Sequence, residues 1–365
     1  MTKVKIYGAG SIGNHMSHAS RSLGWEVTLC DTDPAALERT QKSIYPGRYG
    51  TWDDNIQLIQ NQDAPIGGFD LIIIGTPPDS HMPLALAAVA EKPQGILIEK
   101  PICTPDLVGA QELVEKAAAA GIHVFVGYDH VVGAASQKIV DTLASRAIGE
   151  TLTIDVEFRE FWGGIFAAHP WLSGPSDSYL GFWQRGGGAS GEHSHAANLW
   201  QHFSHAAGAG RIVEVSAELD FVNDGTVDYD RLCLAHVHTE SGLVGRIVQD
   251  VVTQPPRKWG RAQGTSGFIE WHCGFEPGCD ATVCKTGDAD AQTIKFHKTR
   301  PDDFIQELSH ISAALESDRI PYDISMERGM DTMLVVAAMH LSNQERRPVR
   351  IDYSKGYTPD ALSTL

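Results

Sequence analysis

The chain has 365 residues, 42% of them hydrophobic and 21% charged, an ordinary globular composition with room for one large domain or two medium ones. A formal net charge of -17 argues against a nucleic-acid partner, whose phosphates demand a basic face. No run approaches the ~20 uninterrupted apolar residues of a membrane helix, and Met1–Ile6 leads into a strand pattern without the apolar core of a signal peptide, so a cytoplasmic protein with no membrane partner is expected.

Lys3–Tyr7 reads as a strand. Gly8-Ala9-Gly10-Ser11-Ile12-Gly13 follows at once, then a helix over Asn14–Leu23 closed by Gly24, then a strand over Glu26–Cys30 that ends at Asp31. Strand, glycine loop, helix, strand, acid is the order a dinucleotide site requires. Gly8 permits the tight turn, Gly10 lets the backbone approach a pyrophosphate, and Gly13 allows close helix–strand packing. The helix start offers free N–H groups to the anion. A carboxylate at Asp31 accepts hydrogen bonds from ribose hydroxyls and repels a 2′-phosphate, so the cofactor expected is NAD. Gly8, Gly10, Ser11, Ile12, Gly13 and Asp31 are the first candidate contacts. The bland alternative is a structural glycine turn with Asp31 as a helix cap.

The alternation continues through a helix over Asp33–Ser43, a strand over Phe69–Ile74, a helix over His81–Ala90, a strand over Gly95–Glu99, a helix over Pro105–Ala120 and a strand over His123–Val126. Such alternation predicts a doubly wound parallel sheet of the Rossmann type over residues 1–125. Thr76-Pro77-Pro78 with His81, and Glu99-Lys100-Pro101, stand at carboxyl ends of buried strands, where open α/β sheets bind ligands. Lys100 could donate to a substrate hydroxyl and favour the developing alkoxide.

The pattern changes after Gly127. A helix over Ile139–Arg146 precedes long alternating runs at Thr151–Phe161, Ile212–Phe221, Arg231–Thr239, Gly245–Val252 and Phe268–His272, a mainly antiparallel meander. An aromatic insertion over 162–190 and a helix over 191–206 interrupt it, and helices over 303–317 and 325–343 end the chain. Residues 126–365 thus form a second α/β domain, expected to bind substrate and to carry oligomer contacts. The aromatic residues of the insertion could stack on a pyranose ring or form a local core or subunit contact. Six cysteines include no CxxC pair, so neither a zinc ribbon nor a disulfide framework is expected.

Glu192, His193, His195, His202 and His205 crowd one segment, and His195, Asn198, His202 and His205 share a helical face. Histidine suits general-base catalysis because its ordinary pKa lies near neutrality. Glu192, His193 and His195 lack the four-residue ligand spacing of helical metal sites, so no metal is expected. His202 and His205 read as interior or interface residues. Arg185, Arg257, Lys258 and Arg261 could meet an anionic substrate or be ordinary surface charges.

Gly8–Gly13, Thr76-Pro77-Pro78…His81 and Glu99-Lys100-Pro101, in that order, resemble the Gfo/Idh/MocA oxidoreductases, which include glucose–fructose oxidoreductase and inositol dehydrogenase. Gly186-Gly187-Gly188 before a histidine-bearing helix is similar to that family's active-site helix, and the C-terminal pattern Ser325…Gly329, Leu341-Ser342…Val349-Arg350-Ile351 is similar too. The resemblance implies a Rossmann domain, a C-terminal domain with a large open sheet serving a homodimer or homotetramer, and NAD-dependent oxidation of a secondary hydroxyl on a sugar or polyol. It implies Lys100 and His195 as catalytic residues with Glu192 beside them. Thr76, Pro77, Pro78, His81, Glu99, Lys100 and Asp129 then join the glycine loop at the cofactor. Two departures stand out. The family's acid four residues before the histidine is Gly191 here, so either Glu192 serves His195 or Glu192 matches the acid and Ala196 the histidine. Tyr128-Asp129-His130 stands where the family usually has an aromatic residue, an amide and arginines, so His130 departs from that pattern.

Overall fold

The computed structural model describes residues 1–167, 169, 171–317, 319 and 322–365, with nothing stated of the Tyr322 side chain; Ala168 and Pro170 of the aromatic insertion lie outside the described residues. Two sheets organise the chain. The first is parallel and six-stranded, in the order β3-β2-β1-β4-β5-β6. Its strands are β1 (Lys3–Tyr7), β2 (Glu26–Asp31), β3 (Ile56–Gln60), β4 (Leu71–Ile74), β5 (Gly95–Glu99) and β6 (His123–Gly127). β4 and β5 are buried along their whole length, as parallel strands covered on both faces must be. This is the doubly wound sheet that the alternation predicts.

The strand order reverses between β1 and β4, and ligands of open α/β sheets bind at the carboxyl ends of such a switch. There the glycine loop and the Gly75–Pro78 loop meet. A Cβ on Gly8 would stand 2.7 Å from the Gly75 carbonyl oxygen, and Gly8 has φ +100°, so the contact and the turn both demand glycine. A Cβ on Gly13 would stand 1.8 Å from the Gly8 oxygen, which is the close helix–strand packing expected of the third glycine.

Several boundaries differ from the sequence reading. β3 is a strand the sequence reading leaves out, because alternating Ile and Gln at a sheet edge carry little apolar signal. The helix expected from Pro105 starts at Ala110, because Leu107 and Gly109 take positive φ of 59° and 80°. The helix expected over 139–146 spans Ala134–Ala144.

The second sheet has ten strands in the order β14-β13-β12-β11-β7-β10-β9-β8-β15-β16. They are β7 (Thr151–Arg159), β8 (Ile212–Asn223), β9 (Asp228–Thr239), β10 (Val244–Asp250), β11 (Arg257–Gly264), β12 (Gly267–Glu276), β13 (Cys279–Thr286), β14 (Gln292–His297), β15 (Val349–Ile351) and β16 (Leu362–Thr364). β7 and β10 pair in parallel and the other pairs are antiparallel, so the sheet is mixed. The sequence reading misses β11, which is rich in charge, β14, which is exposed, β15 and β16, which have three residues each, and β13, which is buried over its first half.

The Met326–Glu345 helix packs against β8 and also reaches β6, and it is buried over most of its length. It joins the two sheets. The segment expected as one helix over 191–206 is two, Gly188–Glu192 and His195–Ala206, broken at His193-Ser194. Asp230 anchors the first of them. Its buried carboxylate accepts the Ser190 N–H at 2.7 Å, and it fills the space where a Gly188 side chain would go. Among the described residues, no helix is long and apolar enough to cross a membrane.

Candidate active site

A cavity of about 430 Å³ opens between the two sheets. At one end the helix Ser11–Ser22 starts from Gly10 with no side-chain cap, so its first N–H groups keep their donor capacity. A Cβ on Gly10 would meet nothing within 4 Å, which leaves the backbone approachable. Asp31 accepts the Ala9 N–H at 2.7 Å and the Asp33 N–H at 2.8 Å, so its carboxylate is held against the loop. Arg48 braces the same loop by donating to the Ser11 carbonyl at 2.9 Å and hydroxyl at 2.8 Å. An uncapped helix start, an open glycine backbone and a fixed carboxylate fit a dinucleotide.

Gly10, Ser11, Ile12, Thr76, Pro77, Glu99, Lys100, Asp129, Glu192 and His195 all line the cavity. Gly8, Gly13, Asp31, Pro78 and His81 do not. His81 is wholly buried, with its ring nitrogens 2.9 Å from the Pro101 carbonyl and 2.7 Å from the Thr76 carbonyl. It therefore ties together the two loops that carry Thr76 and Lys100. Pro78 packs against Gly186, where a Cβ would come within 2.8 Å of it.

Lys100 Nζ is the hub of the opposite wall. It donates to the Glu192 carbonyl at 3.0 Å and pairs with the Glu192 carboxylate at 3.1 Å, while Tyr179 donates to the other carboxylate oxygen at 2.9 Å. Burial alone would raise the Glu192 pKa, but Lys100, His193 and the Tyr179 hydroxyl outweigh it and hold the carboxyl below its usual range. Glu192 is thus the acid partner of the lysine, a pairing that neither alignment considered from the sequence specified. Burial drives His193 down to about 4 against the pull of Glu192. Burial and the charges of His130 and Lys100 also depress His195. Both imidazoles line the cavity, within reach of a substrate placed there.

Glu99 is pushed up to about 8 by burial and by Asp129, against the pull of Lys100. Nearby Glu307 is also raised, by burial and by the charges of Glu99 and Asp129. A raised carboxyl holds in the folded chain a proton that the unfolded chain releases. The resulting penalty is absent below the ordinary carboxyl range and grows as pH rises towards about 8. Glu99→Gln is therefore expected to raise the melting temperature more at about pH 9 than at about pH 5. Thermal unfolding at both pH values checks this, and equal shifts would contradict it.

The basic residues considered for an anion already face carboxylates. Arg185 meets Asp79 at 2.6 Å, Arg257 meets Glu157 at 3.4 Å, Lys258 meets Glu160 at 2.9 Å and Arg261 meets Glu270 at 2.7 Å. The insertion divides its aromatic residues between two tasks. Trp162 packs with Leu180, Ala189 and Val251 in a small core of its own, whereas Trp171 and Tyr179 line the cavity. Trp171 also stacks on the Arg39 guanidinium, beside the six-stranded sheet, at 5.6 Å. The sequence reading gave Glu160 and Phe158 no place at the site, and it weighed Tyr179 only as an aromatic face for a sugar and Lys258 only as an anion contact. They come from separate segments, and no spacing links them.

Residues 2–128 match the model of an oxidoreductase family with an NAD-binding Rossmann fold, GFO_IDH_MocA. The chain is 30% identical over 161 residues to inositol 2-dehydrogenase 4 of Saccharopolyspora erythraea, covering 43% of this chain and 45% of that protein. It is 28% identical over 146 residues to a glycosyl hydrolase family 109 protein of Shewanella amazonensis, covering 36% of this chain and 30% of that protein. The matches thus span less than half the length of either relative. The fold is similar to that of the aldose–aldose oxidoreductase from Caulobacter crescentus, with a TM-score of 0.75 at 17% identity over 96% of this chain and 99% of that one.

Proposed function

We propose that the chain, whose residues 2–128 match the NAD-binding Rossmann model of the Gfo/Idh/MocA oxidoreductases, is an NAD-dependent dehydrogenase oxidising a secondary hydroxyl of a neutral sugar or polyol. The observation that carries the reading is the Lys100–Glu192–Tyr179 cluster, set in one cavity with the glycine loop and two imidazoles. Bound NAD supplies the hydride acceptor. Glu192 and Tyr179 fix the Lys100 ammonium, which donates to the carbinol oxygen and favours its negative charge. The hydroxyl proton passes to His195, as the sequence suggests, or to His193, which borders Glu192. The walls of Trp171, Leu172 and Leu180 exclude water from the reacting carbon.

A neutral substrate follows from the ion pairs, since Lys258 at the cavity is neutralised by Glu160 and Lys100 by Glu192. Free inositols and aldoses should therefore give higher kcat/KM than the corresponding uronic acids in assays of NADH formation. A clear preference for the acids would contradict the assignment.

A second reading has its own support. The insertion reaches back to the first domain through Trp171 on Arg39 and Arg185 on Asp79, which would retain a bound cofactor. Retained NAD would permit a redox-neutral elimination or glycoside cleavage, and product without net NADH would favour it. We place the enzyme in the cytoplasm, in keeping with six free cysteines, and as a homodimer or homotetramer through the ten-stranded sheet.

A further inference from the structure

Asp129, His130 and His195 form a cluster that the proposed chemistry does not fully use. One ligand atom from each lies within 4.8 Å of the others. The two imidazole rings sit edge to face, with centroids 4.8 Å apart. Phe158 holds both of them. It stacks on His195 at 5.7 Å and 17°, and meets His130 edge-on at 5.3 Å. Trp271 stacks on the far side of Phe158 at 5.7 Å, so the ring positions are locked by packing. His195 Nδ1 is buried without a hydrogen-bond partner, as is Glu99 Oε1, whose carboxyl lies close enough to Asp129 for the two charges to repel. Buried polar atoms in native proteins are normally satisfied, so such a concentration calls for a ligand.

We infer that Asp129, His130 and His195 bind a divalent transition-metal ion, of which zinc is the best match. Two imidazoles and one carboxylate with an open fourth position form a donor set that suits zinc. Two ligand atoms on a tetrahedral zinc ion stand about 3.4 Å apart, so a pair as wide as 4.8 Å must draw together as the ion binds. The cationic groups nearby do not block the site, since Lys258 pairs with Glu160 and Arg300 with Asp303. Glu192, His193 and His195 lack the four-residue spacing of helical metal ligands. The cluster instead draws on two distant segments, the turn after β6 and the start of the His195–Ala206 helix.

Metal binding stands on the cluster alone, whereas a role for the ion in polarising the substrate hydroxyl rests on the dehydrogenase reading. With the ion bound, His195 is a ligand and the acceptor role falls to His193. The test is metal content and affinity, read separately from turnover. Full-length protein freed of metal by chelator and dialysis is titrated with zinc chloride, and with cobalt chloride followed by visible absorption. NAD binding and melting temperature are measured on the same samples. The expected result is about one ion per chain, with affinity at least tenfold weaker in Asp129→Asn and in His130→Gln, and unchanged in His238→Ala on the exposed sheet. Absence of stoichiometric zinc in wild-type protein that still binds NAD would overturn the metal site while leaving the oxidoreductase reading intact. Undiminished affinity in folded Asp129→Asn and His130→Gln would overturn it as well.

Discussion

Lys100→Ala is expected to lower kcat for NADH formation by roughly 10²–10³-fold, the cost of losing one donor to a developing oxyanion, with the Kd for NAD nearly unchanged. The split follows from position. Lys100 lies at the carboxyl end of β5 with its ammonium turned to Glu192, whereas the glycine loop, Asp31 and Arg48 form the cofactor end. Removing the amine also leaves the Glu192 carboxylate with Tyr179 as its remaining side-chain donor. Its pKa should then rise, because burial is no longer outweighed. Lys100→Arg should recover little, since a planar fork cannot replace a point donor held by a carbonyl and a carboxylate. Steady-state kinetics together with NAD titration by fluorescence separates the two quantities. A Lys100→Ala enzyme with full kcat would remove the lysine from the reaction centre.

Asp31 carries the second large effect. Asp31→Ser removes the ribose acceptor and the charge that repels a 2′-phosphate. NAD should bind about 10- to 100-fold more weakly, because hydrogen bonds to a charged group are worth ~1.5–3 kcal/mol, and discrimination against NADP should fall. Asp31 also accepts the Ala9 N–H, so loop geometry has to be separated from charge. Asp31→Asn keeps one oxygen as that acceptor, sets its amide against the Asp33 N–H and loses the charge. It should keep more of the melting temperature than Asp31→Ser while relaxing the NAD preference. Unchanged discrimination in both variants would contradict the role given to the carboxylate.

The Rossmann half was legible because its signals are local. Gly8, Gly10 and Gly13 serve backbone contacts fixed by short-range geometry, and β4 and β5 announce themselves as unbroken apolar runs. The second sheet was only partly legible. β11 carries Arg257, Lys258 and Arg261 on one short strand, and such charge conceals a strand that owes its place to its neighbours. The active site divides in the same way. Lys100 and Glu192 could be named from motifs, but their salt bridge joins residues 100 and 192 from segments far apart in the chain and appears only on folding. Tyr179 and the pairing of Asp129 with His195 carried no periodic signal, because tertiary packing alone brings them together. The assignment of His81 to the cofactor came from its strand-end position, yet its side chain turns inward to clamp two carbonyls.

The most direct measurement mixes wild-type protein and NAD with inositols, free aldoses and sugar acids in turn and follows NADH by absorbance, with NADP in parallel. The account predicts NADH accumulating with NAD on a neutral polyol or sugar, together with an equal amount of ketone and little reaction with NADP. Tight NAD binding without NADH from any substrate would contradict it.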